Sequence, residues 1–209
     1  MLLPGGVSQG VHTLPIYTTK KPAIWEHAAE AAANHIWRMY NFYLTYPFNK
    51  HLVYIQNKRL EIENLRSIID HYIKSDLYLD KVAINDERDL YHHKELWVAM
   101  SFNAIKAIKS YFNTDIDIQY VIDTVIKKQK DYGHNNIAMF AITGLVIRIH
   151  DKIARAENII QKENMENAVP GESIYDTFLD IIGYSIIALM WLEGTFMLPL
   201  KENYEKANT

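Results

Sequence analysis

GESIYDTFLDIIGYSIIALMW (Gly171–Trp191) decides the fold, because it is apolar over most of its length yet carries acids at helical spacing. At about 3.6 residues per turn, Glu172, Asp176, Asp180 and Tyr184 lie one above the other, each step turning by about 40°. Ile174, Phe178, Leu179, Ile181, Ile182, Ile186, Ile187 and Leu189 cover most of the remaining surface. The pattern predicts a helix buried on several sides with its acids turned into a cleft. Stacked carboxylates repel one another, so they call for a cation.

The segment before it supplies cations. In GLVIRIHDKIARAENII (Gly144–Ile160), Arg148, Asp151, Lys152 and Arg155 share one helical face while Leu145, Val146, Ile149 and Ile153 occupy others. Two readings follow from the residues. In the first, Asp176 or Asp180 pairs with Arg148 or Arg155 in buried salt bridges that tie two antiparallel helices together. In the second, Asp151, Glu172, Asp176 and Asp180 are oxygen ligands for a hard divalent ion such as Mg2+, with Mn2+ as a substitute. The Arg and Lys side chains then hold substrate phosphates.

KDYG (Lys130–Gly133), the Gly144–Ile159 segment and ESIYDTFLDIIGYSIIAL (Glu172–Leu189) together resemble the nucleotide modification associated domain 1 family of phages and bacteria. More distantly they resemble the all-α NTP pyrophosphatases of the MazG and dimeric dUTPase type. In MazG-like enzymes one helix carries Glu-Glu-x-x-Glu and the next a Glu-x-x-Asp type motif, and the two bind Mg2+. Asp176 and Asp180, with Glu172 one turn earlier, match the second loosely; Arg148, Asp151, Lys152 and Arg155 stand where the first would be. The resemblance implies hydrolysis of a (d)NTP to the monophosphate and pyrophosphate, in nucleotide metabolism or phage base modification, by a homodimer or homotetramer. In such a reaction Mg2+ neutralises the phosphates and orients a water, and Asp151 or Asp176 serves as general base. Arg148, Lys152, Arg155 and Lys130 hold phosphates, while Asp131 and Tyr132 in the DYG turn contact sugar or base. A nucleotide- or partner-binding helical protein that does not hydrolyse is the alternative from another class.

His150-Asp151 is also the doublet of HD-type metal phosphohydrolases, with His134 or His93 and Asp180 as further ligands. A ferritin-like di-metal bundle requires Glu-x-x-His pairs, and only Asp89 to His92 and Asp131 to His134 come near. His92-His93, and His27 with Glu26 and Glu30, read more cheaply as solvated helix faces. The aromatic run Trp37, Tyr40, Phe42, Tyr43, Tyr46 and Phe48 reads as core or subunit interface before base-stacking surface. No glycine loop of the phosphate-cradling kind is present.

With 209 residues, 49% hydrophobic and 22% charged, the chain is long enough for one well-buried domain. A net charge of −3 argues against a general nucleic-acid surface, and no basic patch stands out beyond Lys127, Lys128 and Lys130. Zero cysteines exclude disulfides and Cys-ligated zinc. The longest apolar run, Ile181 to Leu192, falls short of a membrane span, and Met1 to Gln9 lacks signal-peptide features. The expectation is a cytoplasmic protein, in the host cytoplasm if phage-encoded.

In chain order, residues 1–21 read as an irregular arm and 22–200 as a single all-α domain of about six helices. Residues 22–115 form its scaffold, 116–192 its nucleotide-site helices and 201–209 a polar, frayed tail. Helices are expected near Pro22 to Pro47, Asn49 to Ser75, Asn85 to Phe112, Ile116 to Asp131, Thr143 to Lys162 and Glu172 to Trp191. Asn85 is an N-cap type with Asp86 and Glu87 in the first turn. Gly133 suits a C-cap, and Gly183 suggests a closely approaching neighbour.

Overall fold

The computed structural model describes residues 21–45, 58–74, 87–162 and 173–208, and every regular element among them is helical. The helices are α1 (Trp25–Thr45), α2 (Lys58–Lys74), α3 (Glu87–Phe112), α4 (Ile118–Tyr132), α5 (Asn135–Ala138), α6 (Ala141–Ile160), α7 (Ile174–Leu192) and α8 (Lys201–Ala207). The six expected helices are α1 to α4, α6 and α7. The six-helix expectation missed two short ones. α5 is a single turn in the connection after Gly133, and α8 replaces the frayed tail. α8 buries none of its own residues, so no apolar periodicity announces it. Residues 1–20, and with them nearly all of the expected arm, lie outside the described residues, as do Tyr46, Pro47 and Phe48, the start of the second expected helix, and Asn85 with Asp86.

Local chemistry sets the ends of the central elements. Asp117 caps α4 by accepting the amides of Gln119 at 2.9 Å and Tyr120 at 3.2 Å. Gly133 closes it with φ 65, a left-handed value glycine adopts without a Cβ clash, and its N–H donates to the Gln129 carbonyl at 2.8 Å. At α7, the Ser173 side chain accepts the Asp176 amide at 3.0 Å. The Asp176 carboxylate in turn accepts the Ser173 amide at 3.0 Å and its hydroxyl at 2.7 Å, completing a capping box.

α7 is the central helix, packing against α1, α3, α4 and α6, while α2 lies across α3 and α6. Phe178, Ile181, Ile182, Ile186, Ala188 and Met190 are fully buried on it. Burial of each large side chain contributes about 1.5–3 kcal/mol, so this helix organises the core. Its 19 residues are long and apolar enough to cross a membrane by length and composition, beyond what the run from Ile181 alone suggested; here most of that length is buried among neighbouring helices. The segment after α7 returns to α1, where the Trp25 amide donates to the Pro199 carbonyl at 2.9 Å and the Lys201 amide to Glu26 at 2.9 Å.

One buried acid escaped the sequence reading. Glu61 on α2 is fully buried, with the Lys106 ammonium 3.1 Å from its Oε1. Burial outweighs the attraction of Lys106 and pushes the carboxyl above its usual range. A carboxyl so raised favours the fold while protonated and loses that contribution as pH rises through its folded value. Glu61→Gln removes this neutral-pH penalty, so its melting temperature relative to wild type rises between pH 4 and pH 8; a constant difference across that range contradicts the assignment.

Gly183 marks the expected close approach, since a Cβ there would sit 3.1 Å from Val125 Cγ2 of α4. Gly183→Val therefore overpacks the α4–α7 contact and lowers stability by about 1–3 kcal/mol. Urea denaturation checks this, and an unchanged midpoint counts against it.

Candidate functional site

Asp180 projects from the middle of α7, and two lysines meet it from two neighbouring helices. Lys128 Nζ of α4 lies 2.5 Å from its Oδ1, and Lys152 Nζ of α6 lies 2.6 Å from its Oδ2. Burial alone would raise the Asp180 carboxyl, but the two lysine hydrogen bonds outweigh it and hold the carboxyl below its ordinary value. The same balance acts on Lys128, where burial pulls the ammonium down and Asp180, with Tyr184 and Tyr132 nearby, raises it on balance. Tyr184 stands one turn beyond Asp180.

Arg148 of α6 lies over the Tyr184 ring, its guanidinium carbon 6.0 Å from the centroid, and donates through Nη2 to Asn136 Oδ1 at 2.8 Å. A guanidinium only donates, so this contact also fixes which way the Asn136 amide points. At Asp180 itself two ammonium groups meet one carboxylate, which leaves a local excess of positive charge. Tyr132, 65% exposed, extends from the same face of α4 one turn after Lys128.

The other residues singled out from the sequence are placed differently. Asp176 is exposed and holds the capping box. Asp151 is exposed, its carboxylate 4.0 Å from His150 Nδ1. Arg155 donates to the Thr177 hydroxyl and, at 3.4 Å, to the Ser173 carbonyl, which fastens α6 to the start of α7. Lys130 and Asp131 are exposed on the last turn of α4. Glu172 lies outside the described residues. The expected acidic stripe therefore divides between a cap and an ion-paired carboxylate, and among the described residues no three His, Asp or Glu side chains converge as they would around a metal. His134 is directed to the Leu198 carbonyl at 2.9 Å and His93 to the Tyr72 hydroxyl at 2.9 Å, so neither joins His150 and Asp151.

Sequence reasoning noted Lys128 only as part of a short basic run and did not find Asn136. For Lys128 the signal was present, since it precedes Tyr132 by one helical turn. Asn136 sits in a connection, where periodicity says nothing.

A second hollow, an open groove of about 470 Å3, lies between α2 and α6 on another side of the bundle. Glu63, Asp70 and Glu157 outnumber Arg66 and Lys74 there. Arg66 is held by a two-point bond to Glu157 at 2.8 and 2.6 Å. That charge balance disfavours an anion, whereas the Asp180 cleft favours one.

The Asp180 pairs give a pH signature. A carboxyl with a depressed folded value stabilises the fold above its unfolded value, near 3.8, and loses that contribution as pH falls through the folded one. Wild type therefore melts above Asp180→Asn at pH 6, and the gap narrows toward pH 2. A gap that does not change with pH contradicts the pairing.

Residues 128–192 match the family model described as nucleotide modification associated domain 1. No curated protein and no solved structure matches the chain. The matched segment begins at Lys128 and takes in Asn136, Arg148, Lys152, Asp180 and Tyr184, so the whole cleft lies within the nucleotide modification associated domain 1 region of the chain.

Proposed function

We propose that the cleft binds a nucleotide through its phosphate groups. The observation that carries this is the meeting of Lys128 of α4 and Lys152 of α6 on the partly buried Asp180 carboxylate, with Arg148 over the ring of Tyr184, one helical turn on from Asp180. Phosphate recognition requires such a cluster: lysines act as mobile point charges and arginine offers a rigid fork of donors. Among the described residues Arg148 uses Nη2 on Asn136 and is steadied by Tyr184, which leaves other guanidinium donors for a ligand. Tyr132 at the mouth offers a flat apolar face to a base. The matched family's description supports a nucleotide ligand.

A Mg2+ centre built by the protein fits these residues poorly. Asp180 already has a lysine on each oxygen, Asp176 accepts two bonds from Ser173, and Asp151 stands at the surface. The carboxylate set expected from the sequence is not gathered among the described residues.

The second reading is hydrolysis of the (d)NTP to monophosphate and pyrophosphate, with the MazG-like resemblance behind it. Asp151 favours it, as an exposed carboxylate next to Lys152 in sequence, with its oxygen 4.0 Å from the His150 ring nitrogen. A carboxylate there is free to take a proton from an attacking water while the lysines hold the departing pyrophosphate. We further propose that the protein works as a homo-oligomer, by analogy alone.

Calorimetric titration with ribo- and deoxyribonucleoside triphosphates, with and without Mg2+ or Mn2+, tests the binding reading. Wild type binds triphosphates, and Lys152→Met or Arg148→Met weakens binding by about tenfold or more, equivalent to roughly 1.4 kcal/mol. Binding that survives both substitutions contradicts the assignment. Chromatography of the same mixtures checks the second reading: monophosphate with pyrophosphate, lost in Asp151→Asn, supports it, and unchanged triphosphate rejects it.

A further inference from the structure

The Asp180 carboxylate does to the two lysines what a phosphate would do. Each oxygen takes one ammonium, at 2.5 and 2.6 Å, so one anionic group bridges two cations from different helices. Asp180 itself cannot leave, because its backbone belongs to the buried central helix. The lysines can move, since the Lys128 side chain is 53% exposed and that of Lys152 28%, on flexible four-carbon stems.

We propose that Asp180 is a built-in competitor for the ligand's phosphate, which holds the lysine pair until a polyphosphate displaces it and so makes the site prefer di- and triphosphates to monophosphates. The inference rests on the reading of this cleft as a nucleotide-phosphate site. A ligand that draws both lysines away leaves Asp180, whose side chain is only 16% exposed, without its partners. A partly buried charge stripped of partners is costly, and exchanging one exposed ion pair for another returns little. A single phosphate therefore gains little from the exchange. Adjacent phosphates that engage both lysines and Arg148 together offset the cost. The threshold lies in the carboxylate's charge, and an amide of the same shape removes it.

The test is metal-free calorimetric titration of wild type and Asp180→Asn with inorganic phosphate and with pyrophosphate. Wild type prefers pyrophosphate, and Asp180→Asn binds inorganic phosphate about tenfold more tightly, equivalent to about 1.4 kcal/mol, with a smaller preference between the two anions. An equal gain for both anions is only added positive charge and overturns the competitor role, as does unchanged or weaker phosphate binding. Absence of binding of either anion by either protein overturns the phosphate-site reading itself. Carbon-13 NMR of the Asp180 carboxyl in wild type gives an answer even if the variant does not fold. Saturating pyrophosphate shifts this resonance as the lysines leave, and a resonance that stays fixed while pyrophosphate binds contradicts displacement.

Discussion

A carboxylate on the central helix α7 is the constraint around which α4, α6 and α7 are arranged. Leaving Asp180 charged within α7 requires partners. Lys128 and Lys152 supply them, which requires α4 and α6 to flank α7 on the two sides from which those side chains reach. The approach of α4 is close, since a Cβ at position 183 would sit 3.1 Å from Val125 Cγ2. The register of α6 is fixed at its other end by Arg155 against Thr177 and the Ser173 carbonyl. Packing and charge therefore specify the same arrangement.

The same arrangement gives the cleft its sign. Two lysines on one acid leave a local surplus of positive charge in an otherwise slightly acidic chain. Arg148, stacked over Tyr184 and bonded to Asn136, is held in place before any ligand arrives, and a group ordered in advance loses less freedom on binding. The hollow between α2 and α6 has a surplus of acids, so its charge disfavours an anionic ligand there.

Much of the fold was legible because it rests on periodicity. The apolar spacing of α6 and α7, the uninterrupted run between Pro47 and Gly133, and the Gly133 stop all reflect the 3.6-residue repeat and glycine's backbone freedom. α5 and α8 were not legible, being a single turn and an exposed segment whose order comes from contacts elsewhere in the chain. The site was half legible. Helical spacing put Asp176 and Asp180 on one face correctly, but spacing cannot tell a capping acid from an acid in a cleft. That distinction depends on where the helix begins, and Ser173 begins it one turn before Asp176. Likewise Arg148, Lys152 and Arg155 share a face, yet Arg155 meets the start of α7 while Lys152 meets its middle.

A crystal structure with a non-hydrolysable nucleoside triphosphate analogue tests most directly whether phosphates are held at Lys128 and Lys152. Phosphate oxygens are expected within hydrogen-bonding distance of Lys128, Lys152 and Arg148, with at least one lysine turned away from Asp180. A nucleotide bound elsewhere, with both lysines still on Asp180, would contradict this.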